Sequence, residues 1–507
     1  MRSEATLKNS IWGIAQQVIV CVLSLFSRRV MIDTIGIEGV GLNAFLNSVI
    51  SMMSLAELGI GSAIIYHMYA PIAKGDRERV AKLMHAYKIM YRLIAAVILL
   101  VGICLLPFLD RIVDDVSYSR GYVSLIFILF LIQTTSSYLF TYKRSMLSAD
   151  QKQYIITMCD LVYKTVTVFL GIAVLKLTGE LAYYIIMLTV CTVAENIFIS
   201  AKVNKMYPYL GQMKGKLPRT EVRGIAHDVK NIFIGKLSGV ITTSTDSVLI
   251  NILVGTVQNG LYSNYNIILG TLSATLRQFS DAMRGSVGNL IAVEEPGHIN
   301  KVFSRLMFIM FFIASFCACC LTGLVDPFVA LAFGKGLLLE RYTVYVCILN
   351  LYMSAVTIPI YSMVAAAGLF KTDKYISVAG SLTNLILSFF LGRKIGMTGI
   401  LIGTAATYIV QFVLKIILFY GRFLKLSSRT VFLKNIVYAG AVFLECMAVE
   451  FITGKISIKN PYAEFAVFGV ISCAVPVAVN AVLFFKTEEF SYGAEMVLAN
   501  MRRILHK

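Results

Sequence analysis

The length of its apolar runs constrains this chain most. About fourteen stretches, each roughly 20 residues long, alternate with short polar loops. At 1.5 Å of helical rise per residue, such a stretch matches the ~30 Å hydrocarbon core of a bilayer. Backbone amides find no water in lipid, so a spanning segment must be a helix or part of a closed barrel. These runs are too long and too uniformly apolar for barrel strands. The expected fold is therefore all-α and membrane-integral. The expected spans are 9–32, 39–67, 88–110, 121–142, 154–176, 181–202, 231–254, 261–287, 302–324, 342–368, 375–393, 398–421, 434–453 and 462–485.

Charge orients these spans. Only 15% of residues are charged, yet the formal net charge is +18. In a soluble chain that excess would point to nucleic acid. With 58% hydrophobic residues it reads instead as the positive-inside bias. The segments around Lys74–Lys88, Lys143–Lys152, Lys202–Lys230, Lys371–Lys374 and Arg422–Lys434 are basic, and the loops between them are poorer. Both termini are therefore expected in the cytoplasm, which requires an even number of spans. The first apolar run, residues 11–32, exceeds a signal h-region and reads as a retained span. The ten cysteines are scattered through apolar stretches, as small core residues would be, and Cys317, Cys319 and Cys320 lie within a span.

The longest hydrophilic segment follows the sixth span, where a linker between two six-helix halves would lie. An internal repeat supports that division. Ile35–Ile50 aligns with Val254–Leu269 at a fixed offset, so that Gly36 meets Gly255, Gly41 meets Gly260, Leu42 meets Leu261 and Asn47 meets Asn266. An even number of spans per half makes such repeats parallel. The expected organisation is an N-terminal lobe (1–205), a basic cytoplasmic linker (206–230), a C-terminal lobe (231–421), a further helix pair (422–485) and an amphipathic cytoplasmic tail (486–507). Two similar six-helix lobes imply a central cavity and alternating access.

Polar residues inside the apolar runs mark the candidate site, because lipid does not tolerate them. Gln16, Ser24 and Arg28 share a face of the first span. Asn43, Asn47, Ser51, Ser54, Glu57 and Gly61 form a stripe in the second. Polar glue between helices is the simpler account of the Asn and Ser residues. Arg28 and Arg29 suit either snorkelling or a phosphate ligand, since the arginine fork binds phosphate oxygens bidentately. Asp246 stands among hydroxyls in Thr242-Thr-Ser-Thr-Asp-Ser247, a setting for a cation or proton. Asp160 and Lys164 have the spacing of an internal ion pair. Arg277, Asp281 and Arg284 recur at helical spacing. The repeat offset places Glu57 opposite Leu276, next to Arg277, so that Glu57 and Arg277 are expected at similar depths, as a gate would require. There is no Walker motif, catalytic triad or metal-ligand cluster, so no enzymatic activity is expected.

Several stretches resemble bacterial polysaccharide flippases of the multidrug/oligosaccharidyl-lipid/polysaccharide exporter superfamily, especially those of capsule and O-antigen clusters. They are Phe26-Ser-Arg-Arg-Val, Gly41-Leu-Asn, Leu55-Ala-Glu-Leu-Gly-Ile-Gly-Ser-Ala63, Met68-Tyr-Ala-Pro71, Thr245-Asp-Ser-Val-Leu-Ile250 and Gly260-Leu-Tyr-Ser-Asn-Tyr265. The resemblance implies a flippase in the cytoplasmic membrane that moves an undecaprenyl-pyrophosphate-linked oligosaccharide to the outer leaflet. It has no nucleic-acid partner and works beside a glycan polymerase. The resemblance gives Arg28 a cavity-facing, substrate-binding role. Arg29, Gln16, Asn43, Asn47, Glu57 and Arg277 complete the expected substrate set. It also implies sodium or proton coupling through Asp246, Asn384, the Ile400 carbonyl and Thr404. Ser388 stands where a second carboxylate is found in the sodium-binding relatives, which weakens that expectation. The alternatives are a cation-coupled multidrug exporter, a lipid II flippase and a non-transporting scaffold for a polymerase complex.

Overall fold

The computed structural model describes residues 2–54, 60–113, 116–212, 217–218, 221–225, 229, 233 and 244–495, leaving aside the side chains of 2–18, 62–63, 110–112, 211–212 and 279–286. Among the described residues every regular element is helical. The chain runs through α1 (Arg2–Met53), α2 (Ile60–Ala73), α3 (Arg77–Ile112), α4 (Arg120–Thr141), α5 (Arg144–Ala149), α6 (Gln153–Thr178), α7 (Leu181–Met206) and α8 (Tyr209–Gln212). It continues with α9 (244–253), α10 (Thr256–Val293), α11 (Pro296–Ala332), α12 (Arg341–Val356), α13 (Ile358–Ala366), α14 (Phe370–Leu418), α15 (Arg429–Gly454), α16 (Pro461–Phe484) and α17 (488–495).

Nine helical stretches among the described residues have the length and apolarity to cross a membrane. One of them, Phe370–Leu424, is 55 residues long and carries two of the expected spans. Its helix breaks at Ile395 and Gly396, where Gly396 has φ 62 and ψ −142. The helix α1 likewise merges the first expected span with most of the second across a kink at Gly36. Elsewhere the ends follow local chemistry. Asp76 caps α3 by accepting from the Arg79 amide, and Ser119 caps α4 from the Tyr122 amide. Asn460 caps α16 with Pro461 in its first turn. A left-handed Gly179 closes α6.

The chain forms two compact units, residues 1–267 and 268–507, and the division falls inside α10. In the first unit α4 packs on α3 and α7, and α6 packs on α1 and α7. Its core includes Leu42, Phe45, Leu46, Tyr87, Phe127 and Ile185. In the second unit α11 is central, packed by α12, α15 and α16, while α12 also packs on α14. Large apolar side chains are exposed along outer faces, as at Val162 and Phe169 of α6 and Phe443 and Phe451 of α15. Such surface is stable only against lipid or another protein.

Candidate functional site

The first unit carries a close helix contact built by glycine. Gly36 (φ 70) and Gly255 (φ 126) both hold conformations that disfavour a side chain, and they are equivalent positions of the repeat. Five residues beyond each, Gly41 and Gly260 meet. A Cβ on Gly41 would lie 2.0 Å from the Thr256 carbonyl oxygen, and one on Gly260 would lie 2.4 Å from the Ile37 carbonyl oxygen. Hydrogen bonds secure this approach. The Asn259 amide donates to the Gly41 carbonyl at 3.3 Å, and the Ser247 hydroxyl donates to Asn259 Oδ1 at 2.8 Å.

One turn beyond Gly260, the Ser263 hydroxyl donates to the Gly260 carbonyl at 2.7 Å and accepts from Arg28 Nη1 at 3.1 Å. Ser263 is buried and Arg28 half-buried. On the other side stands Tyr184 of α7, whose hydroxyl pairs with buried Ser27 and senses the Arg28 charge. Tyr184 lies over Gly171 of α6, where a Cβ would approach its ring to 2.8 Å. Arg28 is thus anchored to α10 through Ser263, with Tyr184 of α7 nearby, rather than extended along its own helix. Among the described residues no carboxylate hydrogen-bonds to it, and its fork keeps donors for an anion.

The other expected substrate residues divide. Arg29 is exposed and forms an i,i+4 ion pair with Asp33 at 3.0 Å. Asn47 is exposed and donates to the Asn43 carbonyl at 2.8 Å, with Asn43 half-buried above it. Arg277 is exposed on the part of α10 in the second unit. Glu57 and the side chain of Gln16 lie outside the described residues, as do the side chains of Asp281 and Arg284 and the last tail residues, 496–507. The proposed Glu57–Arg277 gate therefore stays an expectation.

The expected Asp160–Lys164 pair is replaced by a different one. Asp160 takes Arg144 Nη1 at 2.7 Å, Glu195 takes Nη2 at 2.8 Å, and Nε donates to Asn196 Oδ1 at 3.1 Å. A guanidinium satisfies three acceptors at once, which a lysine one turn away cannot do. Helical spacing showed Asp160 and Lys164, but the competing Arg144 arrives from another helix. Ser263 and Tyr184 were also missed. The signal for Ser263 was its place one turn after the repeat's second glycine.

Among the expected cation ligands, Asp246 is buried in α9 of the first unit. In the second unit, Asn384 Nδ2 donates to Thr404 Oγ1 at 3.0 Å, and the Ser388 hydroxyl donates to the Ile400 carbonyl at 2.9 Å. The close approach depends on Gly403, whose Cβ would lie 2.2 Å from Ser388 Oγ. Among the described residues, Asn384 Oδ1 is buried without a hydrogen-bond partner. That orphan oxygen suits a monovalent cation. The four second-unit groups carry no formal charge, so within the expected set only Asp246 supplies one.

The second unit also holds an apolar groove of about 810 Å³ lined by α11, α12, α14 and α15, including Tyr352, Phe412, Phe432, Ala439, Phe443 and Met447.

This architecture is a polytopic bundle of helices long and apolar enough to cross a membrane, and solved structures share it. The lipid II flippase MurJ in an inward closed conformation matches with a TM-score of 0.68 at 14% identity, covering 93% of this chain and 98% of that one. An inward-facing multidrug resistance transporter of the MATE family, in the MOP superfamily, gives 0.60 at 13% identity over 81% of this chain and 99% of that one. A point mutant of the Vibrio cholerae MATE transporter VcmN gives 0.57 at 14% identity over 83% of this chain and 98% of that one. No curated protein matches this chain in sequence. The family is nonetheless defined: residues 6–281 match the model of the polysaccharide biosynthesis protein family, and the chain belongs to it.

Proposed function

We propose that this protein is a flippase that carries an undecaprenyl-pyrophosphate-linked oligosaccharide from the inner to the outer leaflet of the cytoplasmic membrane. The observation that carries this reading is the setting of Arg28. A guanidinium inside the first unit is held by Ser263, beside Tyr184, with no carboxylate among its hydrogen-bond partners in the described residues. Such a group offers a fixed positive fork to a diphosphate, the feature common to lipid-linked sugars. Membership of the polysaccharide biosynthesis family supports the same substrate class. The headgroup is too polar to cross lipid, so it follows a polar path while the tail stays apolar. The groove of α11, α12, α14 and α15 suits the polyprenyl tail.

Asn43 and Asn47 would meet sugar hydroxyls, and Arg29, Gln16, Glu57 and Arg277 belong to the same proposed path. The two lobes would expose the site alternately to the two faces, with both termini cytoplasmic and a glycan polymerase receiving the product. A sodium ion or proton would be the coupling ion. Asn384, Thr404 and the Ile400 carbonyl of the second unit are its proposed ligands, and buried Asp246 of the first unit is a proposed coupling acid.

The test is transport by the purified protein in liposomes carrying a fluorescent lipid-linked oligosaccharide. Arg28→Ala is expected to reduce flipping by at least about tenfold, the loss of one strong charge-assisted contact. Arg28→Lys is expected to recover part of it, because a point charge lacks the fork. Full activity of Arg28→Ala would end this reading.

A further inference from the structure

Lys164 stands near the middle of the 26-residue helix α6, and its side chain is exposed. Turning about 100° per residue, it shares a face with Val168, Gly171 and Leu175, all buried. The exposed apolar stripe of the same helix, Met158, Val162, Val166, Phe169 and Leu177, lies on the opposite side. Lipid would cover that stripe. Lys164 therefore faces away from the lipid-covered stripe, as an ammonium midway along a span should, being costly in lipid and too far from either end to snorkel.

Its place on α6 is specific. One turn before it, Asp160 is engaged by Arg144, whose guanidinium is already satisfied by Asp160, Glu195 and Asn196. Two turns after it, about 10 Å along the axis, Gly171 supports the Tyr184 ring beside Arg28. Among the described residues Lys164 has no ion-pair partner, which leaves its three ammonium hydrogens available.

We propose that Lys164 is a second phosphate contact: a diphosphate travelling along the inner face of the first unit meets the Lys164 ammonium on the stretch of α6 between the Arg144 cluster and Arg28. This rests on the flippase reading above and adds to it the route of the headgroup. A flexible point charge suits a passing contact, whereas the braced fork of Arg28 suits a holding one.

Binding of farnesyl diphosphate to the full chain in phosphatidylcholine nanodiscs tests this. Lys164→Gln is expected to weaken binding about tenfold, with its melting temperature unchanged, and Lys164→Arg to stay within about twofold of wild type. Binding of Lys164→Gln at wild-type strength, with Arg28→Ala defective, would overturn the role of Lys164 and leave the flippase reading standing. Failure of the wild-type chain to bind the diphosphate at all would overturn both. A Lys164→Arg variant as weak as Lys164→Gln would show that shape rather than charge is required, which also refutes the proposal.

Discussion

Gly41 and Gly260, equivalent positions of the internal repeat, pack against each other so closely that a Cβ on Gly260 would lie 3.2 Å from the Gly41 amide nitrogen. The contact joins α1 to α10 within the first unit. It sets the distance over which Ser263, one turn further on, reaches Arg28.

Substitution at this contact should be severe. Gly41→Ala puts a methyl 2.0 Å from a backbone oxygen that cannot rotate away. A loss of at least about 3 kcal/mol is expected, at the upper end of overpacking costs. Gly36→Ala meets no atom within 4 Å, and its cost comes from φ 70 and ψ 173 alone, about 1–3 kcal/mol. Thermal melting of the two variants in detergent checks the order. A Gly41→Ala protein as stable as wild type would contradict the packing.

The residues that brace Arg28 are expected to act through it. Ser263→Ala and Tyr184→Phe remove neighbours of the guanidinium but leave its charge in place. Ser263→Ala should reduce flipping by about three- to tenfold, the worth of one hydrogen bond, and Tyr184→Phe, which removes only a nearby hydroxyl, by less. Unchanged transport in both single variants would show that Arg28 needs no bracing.

A buried acid in the second unit lacks a cation among the described residues. Glu445 of α15 is fully buried, accepting from the Ser315 hydroxyl and from the Cys319 thiol at 3.8 Å. Ser315 in turn accepts from Asn480 Nδ2 at 3.2 Å, and Glu445 Oε1 has no hydrogen-bond partner among the described residues. Since no positive group there offsets the desolvation of a carboxylate, Glu445→Gln should keep stability within about 1 kcal/mol or raise it. Ser315→Ala takes the partner from the buried Asn480 amide and leaves Glu445 Oε2 only the weak Cys319 thiol, and should cost about 1–3 kcal/mol. Denaturant titration of both variants decides. A Glu445→Gln loss larger than that of Ser315→Ala would count against the argument.

The turn between α5 and α6 should give the first unit a pH dependence. Asp150 is partly desolvated, which pushes its carboxyl up. Hydrogen bonds from Lys152 and Tyr207 outweigh this and hold it below the usual carboxylate range. Burial, and then its bond to Asp150, push the Tyr207 phenol up to about 12. The Lys152 ammonium is raised, chiefly by its bond to Asp150. The Asp150 contribution is therefore full above the unfolded carboxylate range and lost as pH falls through its lowered folded value. That of Lys152 is full below its unfolded value and lost as pH rises through its raised folded one. Tyr207→Phe should lower the melting temperature at neutral pH and flatten its fall between about pH 5 and pH 3. An acid limb identical to wild type would remove Tyr207 from this account.

What the sequence determined is the class of fold and the places where helices must break. Apolar runs of bilayer length leave the backbone no alternative to helix, and the kinks at Gly36 and at Ile395 and Gly396 fall in the gaps between expected spans. The sequence also singled out Arg28, through the resemblance of Phe26-Ser27-Arg28 to flippases rather than through its place in an apolar run, which snorkelling would explain as well. Tertiary structure alone decided its partners. Ser263 stands 235 positions away in the chain, and the Asp160–Arg144 pair displaced the one that helical spacing favoured. Local periodicity reports which residues share a face of one helix. Which neighbour that face meets depends on packing between helices, where a glycine's missing methyl or a third acceptor within reach outweighs proximity along the chain.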